Sequence, residues 1–238
     1  QRLALTVYAA DGDTLYGPNE HRSQKFVFTL VSIEELQSLL YAKELNLRRR
    51  FEQIHTELKD LQQDLNLHRQ RGEALATVTG EERRQAEAAI TACAERSLLN
   101  VRKNAAEMLS IEVAFGEIRD ELVNNAAQTP QNMARLESKI LAPLKVVNSE
   151  GFPAVDVSLG LFSLANQKGQ NPVAAIVRSE EDVARLIKSL EQVLLDIREL
   201  ETFQELLELY KTIIDLQNEV MEDTKTQRKE KALRALEE

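Results

Sequence analysis

Apolar residues recur every three to four positions near the start of the chain, the spacing of one face of an α-helix. This stripe runs from Ile33 to Leu75. Its two core positions are occupied by Leu40, Leu47, Ile54 and Leu61, and by Phe51, Leu58 and Leu65. Ser32 caps the start, because Glu35 stands at the third position after it and completes a capping box. The stripe therefore predicts a helical rod of roughly 65 Å that packs on other helices.

A second stripe of the same kind follows a break marked by Gly72, Thr77 and Gly80. It predicts a helix from about Glu81 to Asn124. Its expected buried face consists of Ile90, Leu98, Val101, Met108, Ile111, Phe115, Ile118 and Leu122. Two helices joined by a short turn pack as an antiparallel pair. Residues 32–125 are thus predicted to form a long intrachain helical hairpin, which reduces the need for a second chain.

Smaller helices are predicted over residues 130–166. Thr129 and Pro130 form a typical helix start, with threonine as the N-cap and proline at the first helical position. The inward stripe is Met133, Leu136, Ile140 and Leu144. Pro143 should kink this helix, because proline lacks an N–H donor. Residues 148–153 should then break the chain before a short apolar helix, 154–166, and a polar loop, 167–172.

The last part, residues 180–238, is predicted to hold the C-terminal helices. Ser179 and Asp182 fit a cap, with Val183, Leu186, Leu190, Leu194 and Ile197 facing inward. A turn or bend is expected near residues 199–202, followed by a final helix that buries Phe203, Leu207, Tyr210, Ile214 and Met221. The same stripe also fits one helix that continues without a break, and the sequence leaves both arrangements open.

The first segment alternates apolar and polar residues with a period of two, which predicts strands. Leu3, Leu5 and Val7 form one alternating set, and Phe26, Phe28 and Leu30 form the other. The polar stretch 11–25 between them should be the loop of an antiparallel hairpin. A lone hairpin is marginal in water, so the helices or additional strands must cover it. We favour additional strands, with residues 1–31 as the end of a truncated β-sandwich.

The composition fits a mainly α, elongated bundle or coiled coil with this β-hairpin at its start. The chain has only 8 Gly and 5 Pro among 238 residues, with 29% charged and 5% aromatic residues. A net charge of -9 disfavours nucleic acid as a partner. No apolar run approaches the roughly twenty residues that span a bilayer.

The sequence offers few candidates for chemistry. Cys93 lies in a helical pattern and reads as a small core residue. His21, His55 and His68 are not spaced to share a metal, and His68 falls on the core phase of its helix, where it would be a polar layer that fixes helix register. Asp11 begins an Asp-Gly turn that lacks the ligand positions of an EF-hand loop. We therefore predict no catalytic residue, no cofactor, no metal and no small-molecule substrate.

Two basic stretches are the candidate surface contacts: Arg48, Arg49 and Arg50, and the later set Lys225, Arg228, Lys229 and Lys231. Both are interspersed with or adjacent to acidic residues, which favours a solvated helix face. The alternative is a contact with anionic lipid headgroups or with an acidic protein surface, and either contact would be sensitive to salt.

Several segments carry a resemblance to a family: FVFTLVSIEELQSLL, NLRRRFEQIHTELKDLQQDL, RLESKILAPLKVV, LEQVLLDIRELETFQELLELYKTIIDLQ and EDTKTQRKEKAL. The chain resembles the helical region of large uncharacterised planctomycete proteins. Those proteins look like membrane-anchored chains in which extracytoplasmic immunoglobulin-like β-domains precede a coiled-coil region. The resemblance implies that residues 1 to about 31 finish such a β-domain and that the parent protein is anchored upstream. It implies no enzymatic residue.

These patterns and the resemblance together predict a non-catalytic structural or protein-interaction module, a helical spacer or scaffold of a membrane-anchored parent. Its partner would be another protein or a second copy, bound through helix faces. The expected location is periplasmic or extracytoplasmic, with a cytoplasmic location as the alternative. The alternative function is that of a membrane-surface-binding or polymerising helical protein that uses the basic stretches.

Overall fold

The structure, a computed structural model, describes residues 2–12 and 17–237. In the last helix it describes side chains up to residue 198 and at 210, 213, 214, 216–222, 224 and 225. The strands are β1 (Arg2–Leu5), β2 (Tyr8–Ala10), β3 (Glu20–Arg22) and β4 (Phe26–Thr29). The helices are α1 (Ile33–Ala74), α2 (Gly80–Asn124), a composite α3 (130–167) and α4 (Val173–Glu237). The predicted fold class is confirmed: a mainly α helical bundle with an N-terminal hairpin.

The N-terminal segment is one antiparallel hairpin with two short ladders. β1 pairs with β4 from Arg2↔Thr29 to Leu5↔Phe26. β2 pairs with β3, which lies inside the predicted loop 11–25 and so corrects that boundary. Between the ladders, the Ser23 hydroxyl accepts a hydrogen bond from the Val7 amide at 2.9 Å. This bond of a side chain to the backbone replaces a ladder bond and explains why the strands are interrupted.

The far end of the hairpin is held by Asp11, whose carboxylate accepts bonds from the amide and the side chain of Asn19 at 2.8 and 2.7 Å. These bonds join the two arms of the hairpin, whereas the predicted Asp-Gly turn runs into residues 13–16, which lie outside the described residues. In the described part of the chain both ladders are two-stranded. The completion of a β-sandwich by residues 1–31 therefore stays a prediction.

The long hairpin of α1 and α2 is confirmed. Ser32 caps α1, with its hydroxyl accepting from the Glu35 amide at 3.1 Å. Every core residue predicted on α1 between Leu40 and Leu65 is buried, and so is the predicted face of α2, with Leu98 partly buried. Ile33, at the first position of the stripe, is exposed. The heptad pattern thus located the central core of the molecule correctly.

Helix α3 contains the clearest departure from the expected elements. It consists of α-helical segments Pro130–Ala134, Ala142–Val146 and Phe152–Gln167, separated by π-helical segments Arg135–Leu141 and Val147–Gly151. Thr129 caps its start as predicted, with its hydroxyl accepting from the Asn132 amide at 3.2 Å. The predicted break at residues 148–153 is wrong, because the chain stays helical through Pro153.

The π-helical segments show how this helix tolerates two prolines. Each π-helical segment is followed directly by an α-helical segment whose second residue is a proline. This proline is Pro143 after the first π segment and Pro153 after the second. The amide of Ala142 donates to the carbonyl of Glu137, and that of Phe152 to Val147, each five residues back. Proline lacks a donor, and its ring clashes with the carbonyl four residues earlier. A wider π turn ahead of each proline changes which carbonyl it meets.

Helix α4 begins earlier and runs further than predicted. Ser179 is not its cap: the helix starts at Val173, and the buried Ser179 hydroxyl donates to the Ala175 carbonyl at 3.0 Å. The inward residues from Val183 to Ile197 are buried as expected. The predicted bend at 199–202 is wrong, since α4 is one helix of 65 residues. Those four positions contain neither Gly nor Pro, so nothing local ends the helix.

The expected burial of the last apolar stripe is also wrong where side chains are described. Tyr210, Ile214 and Met221 are exposed, whereas Phe203 and Leu207 lie outside the described side chains. Periodicity identifies an apolar helix face but does not say whether the same chain covers it.

Candidate interaction surfaces

The basic stretch Arg48 to Arg50 does not present one cationic face. Arg48 Nε lies 3.1 Å from Glu52 Oε1 on the same helix. Arg50 turns toward α2, where its Nε lies 2.6 Å from Glu107 Oε1 and its Nη2 donates to Ser110 at 3.0 Å. Of these three arginines, Arg49 is exposed to solvent, whereas Arg48 and Arg50 are partly buried. Two of the three charges thus contribute to packing within the chain.

The second basic stretch is only partly described. Lys225 Nζ lies 2.7 Å from Glu222 Oε1, one helical turn earlier. Arg228, Lys229 and Lys231 lie outside the described side chains. Their value as contacts therefore stays a prediction.

Three ion pairs, whose α1 members are seven residues apart, fix how α2 lies on α1. Arg50, Glu57 and Asp64 of α1 meet Glu107, Lys103 and Arg96 of α2. The residue numbers run in opposite directions, as an antiparallel pair requires. Hydrogen bonds from Gln53 and Lys103 hold the pKa of the Glu57 carboxyl below its ordinary value, although burial opposes this. We name this set the first ladder.

A second ladder joins α1 to α4 on the other side. Glu52, Lys59 and Arg69 pair with Arg198, Glu191 and Glu180 at 2.9, 3.0 and 3.1 Å. His55 Nε2 also lies 3.2 Å from Glu191. Burial alone would raise the pKa of the Glu52 carboxyl, but the hydrogen bonds from Arg198 and Arg48 hold it below its ordinary value. Helix α4 is therefore antiparallel to α1 as far as Arg198.

Among the described side chains, the most buried ion pair joins α1 to α3. Arg135 Nη2 donates to both carboxylate oxygens of Glu44, at 2.8 and 2.7 Å. Glu44 is only 8% exposed, and burial raises the pKa of its carboxyl although the Arg135 charge and hydrogen bond oppose the rise. The stripe could not reveal Glu44 as a buried position, because carboxylates are usually on solvated helix faces.

His68 occupies a buried position in the core of α1, as its heptad phase predicted. Burial, and next the nearby charge of Arg71, lower the pKa of the imidazole, so the folded chain favours the neutral ring. Its Nδ1 is buried and has no hydrogen-bond partner within the described residues. This geometry fits a polar residue in a helix interface better than a ligand to a shared metal.

We expect His68→Leu to remove a pH dependence of stability between about pH 7 and pH 5. A histidine whose folded pKa is depressed stabilises the fold above its unfolded pKa, near 6.5. That contribution is lost as the pH falls through 6.5, because the unfolded chain then binds the proton. Urea unfolding of both proteins at the two pH values checks this. If the wild type and His68→Leu lost the same unfolding free energy between pH 7 and pH 5, the prediction would be contradicted.

Cys93 is buried on α2, with its Sγ 3.7 Å from the Ser97 hydroxyl. Burial raises the pKa of this thiol, which disfavours the reactive thiolate. The structure thus supports the expected role of Cys93 as a core residue. In the described parts of the chain, His, Cys, Asp and Glu do not cluster in threes as a metal site requires.

A cavity of about 690 Å³ opens where the α1–α2 turn meets the loop before α4. Gly72, Ile90 and Val173 are among its apolar lining residues. Arg83 Nε lies 2.8 Å from Glu87 Oε1, so the two charged groups on this part of its wall pair with each other. No sequence motif marks this cavity, because its walls come from three separate segments of the chain.

Two apolar surfaces are exposed away from this cavity. One lies on the hairpin before α1, and the other lies on the last part of α4. The hairpin face consists of Leu3, Leu5, Phe26 and Phe28, which are cross-strand neighbours. The tail stripe consists of Tyr210, Ile213, Ile214, Val220 and Met221 on α4, each between 41% and 64% exposed. Both sets were visible as patterns in the sequence, but their exposure was not.

Neither a protein-family model, nor a curated protein, nor a solved structure matches this chain. In the described part, none of the helices combines the length and the apolar character that crossing a bilayer requires.

Proposed function

We propose that this chain is a non-catalytic structural and protein-interaction module that acts as a helical spacer. The observation that supports this most is the length of α4, whose 65 residues correspond to about 98 Å at 1.5 Å per residue. The two ladders and the continuous core tie α1, α2 and α4 into one rod. Such a rod holds its ends apart and presents apolar surface at one of them.

The polar groups of the bundle support a structural role. In both ladders, side chains of opposite charge meet across helix interfaces along the length of α1. This arrangement selects helix register and orientation. The exposed apolar groups on the hairpin face and on the tail stripe then supply the surface for partners.

The resemblance to planctomycete membrane-anchored proteins extends the proposal to location. In that setting the rod belongs to the periplasmic or extracytoplasmic part of a larger parent, and the hairpin continues a β-domain. The exposed hairpin face supports this, because a neighbouring sheet would cover it.

The alternative function, binding to an anionic membrane surface, has less support. It relies on the two basic stretches, and Arg48 and Arg50 are directed to Glu52 and Glu107. Lys225 lies beside Glu222. We therefore place protein contacts ahead of lipid contacts.

Small-angle X-ray scattering tests the spacer directly, at the lowest usable protein concentration. A compact chain of this length has a radius of gyration of about 18 Å. We expect a radius above about 25 Å and a maximum dimension of about 95 Å or more, because α4 alone has that length. A radius near that of a compact chain would contradict the spacer function.

A further inference from the structure

We infer that the last part of α3, residues 150–168, pairs in antiparallel orientation with the same part of a second copy of this chain. The contact surface consists of six exposed positions, which we name the α3 seam: Glu150, Ala154, Val157, Leu161, Leu164 and Lys168. The inference rests on the proposed function and names its partner. It fails separately from the spacer, because a monomeric rod would disprove the pairing and leave the spacer in place.

The first step is that the segment Phe152–Gln167 of α3 is apolar on its outer as well as its inner side. Among its 16 residues only Asp156 is charged, in a chain with 29% charged residues. Its inner side, with Val155, Leu159 and Phe162, is fully buried in the core. A helix that is apolar all round is typical of a position covered on every side. The outer side of this segment is therefore suited to a further helix.

The second step is that the α3 seam has the spacing of a coiled-coil contact. Val157, Leu161 and Leu164 are 58%, 43% and 42% exposed. The four apolar members of the seam are separated by three, four and three residues, as the a and d positions of a coiled coil are. A further spacing of four leads to Glu150, in the second π-helical segment, and at the other end to Lys168. The seam is thus about 27 Å long and is bounded by one acidic and one basic side chain.

The third step is the order of residues along the seam, which selects a second copy and its direction. Two seams that run antiparallel, with their midpoint level with residue 159, form layers that join each member to the member equally far from the midpoint: Glu150 with Lys168, Ala154 with Leu164, and Val157 with Leu161. Every layer joins opposite charges or a smaller with a larger apolar side chain. A parallel, in-register pair would place acid on acid and base on base. The seam is complementary to itself in reverse, as a two-fold symmetric contact requires.

The positions beside the seam are compatible with this pairing. They are uncharged and mostly small: Gly151, Pro153, Ser158, Gly160, Ala165 and Gln167. A Cβ added at Gly160 would meet no atom within 4 Å, so the space beside the seam is open. The remaining charged residue of the segment, Asp156, turns toward α2, where Arg102 Nε lies 2.6 Å from its Oδ1. Within residues 150–168, antiparallel pairing therefore brings no like charges into contact.

Sedimentation equilibrium of the full chain over a range of concentrations tests the pairing. We expect a reversible dimer, because so short a seam buries less area than permanent interfaces do. Leu161→Glu should weaken it about tenfold or more, since it places a carboxylate opposite Val157 of the other copy. Leu99→Glu on α2 is the matched control, because it places the same charge on an exposed leucine outside the seam, and it should leave the dimer unchanged.

Circular dichroism shows whether both variants keep their helix content. A monomer at every concentration would mean that a different protein covers the α3 seam, and it would overturn the inference. Equal weakening by the two variants would overturn it as well.

Exchange of the two end charges tests the complementarity. The variants E150K and K168E should each weaken the homodimer about threefold or more, because each replaces two attractive contacts by two repulsive ones. The double variant E150K/K168E should restore the homodimer, since it only exchanges the two partners. An equimolar mixture of the single variants should form the heterodimer. A double variant no stronger than the single variants would contradict the pairing of Glu150 with Lys168.

Electron–electron distances decide the orientation. Gln167 is exposed beside the α3 seam, so a label at this position leaves the seam itself free. Spin labels at Q167C in a Cys93→Ala background should lie about 25 Å apart, because antiparallel pairing separates the two labels by about sixteen residues of helix. The same label in a Leu161→Glu chain is the control and should show no such distance. A separation near 10 Å would mean a parallel pair and overturn the inference.

Discussion

Replacing Arg135 by methionine should lower the free energy of unfolding by about 3 to 5 kcal/mol, because it leaves the buried Glu44 carboxylate without its partner. Nη2 of Arg135 donates to both oxygens of Glu44, and the two side chains are only 13% and 10% exposed. Urea unfolding at neutral pH measures the loss. A change below about 1 kcal/mol would show that water reaches the Glu44 carboxylate freely.

The double variant Glu44→Leu with Arg135→Met is the control, since it removes both charges from the interface. Replacing a buried ion pair by apolar residues of similar volume is often neutral or stabilising. We therefore expect the double variant to recover most of the stability lost in the single variant. If the double variant were as unstable as the single one, packing of the Arg135 stem rather than its charge would explain the loss.

The deficit of Arg135→Met should shrink as the pH is lowered toward 4.5. Burial already raises the folded pKa of Glu44 above its ordinary value of 4.5, and removing Arg135 removes the charge that opposes this rise. For a carboxyl with a raised folded pKa, stability is fully present below the unfolded pKa and is lost as the pH rises through the folded pKa. The variant should therefore resemble the wild type most closely in acid.

Replacing Phe51 by alanine should lower the free energy of unfolding by about 3 to 5 kcal/mol. Phe51 is fully buried on α1 and belongs to the continuous core that α1 shares with α2, α3 and α4. Truncation removes transfer free energy and leaves a cavity that a close-packed bundle fills only in part.

Leu39→Ala on the same helix is the matched control, since this leucine is 52% exposed. It should change the free energy of unfolding by about 0.5 kcal/mol or less. Chemical denaturation of both variants measures the difference. Equal, small effects would mean that the Phe51 side of the stripe requires a helix from another chain.

The sequence predicted the parts of the fold that depend on regular repetition. Leu40, Leu58 and Leu65 are buried because a seven-residue repeat sets one face of α1, and the same reasoning located α2. The caps at Ser32 and Thr129 were also readable, since each uses a local side-chain bond.

Prediction from the sequence was wrong where one local pattern is compatible with more than one structure. Pro153 was expected to break the chain, but a π turn before it keeps α3 helical. Ser179 resembled a cap, but its hydroxyl donates to a carbonyl within α4. Tyr210 and Ile214 were expected in a core because periodicity reports the face of a helix and not what covers it. The sequence therefore predicted which residues form these apolar faces, but it did not predict that the faces are exposed.

The continuity of α4 through residues 199–202 determines whether the chain is a spacer with a projecting tail. Spin labels at K188C and N218C in a Cys93→Ala background, diluted with unlabelled protein, measure it within one chain. Both positions are exposed on α4, on either side of the predicted bend. Thirty residues of continuous helix predict a separation of about 45 Å. A separation below about 25 Å would mean that the helix folds back, and it would contradict the account.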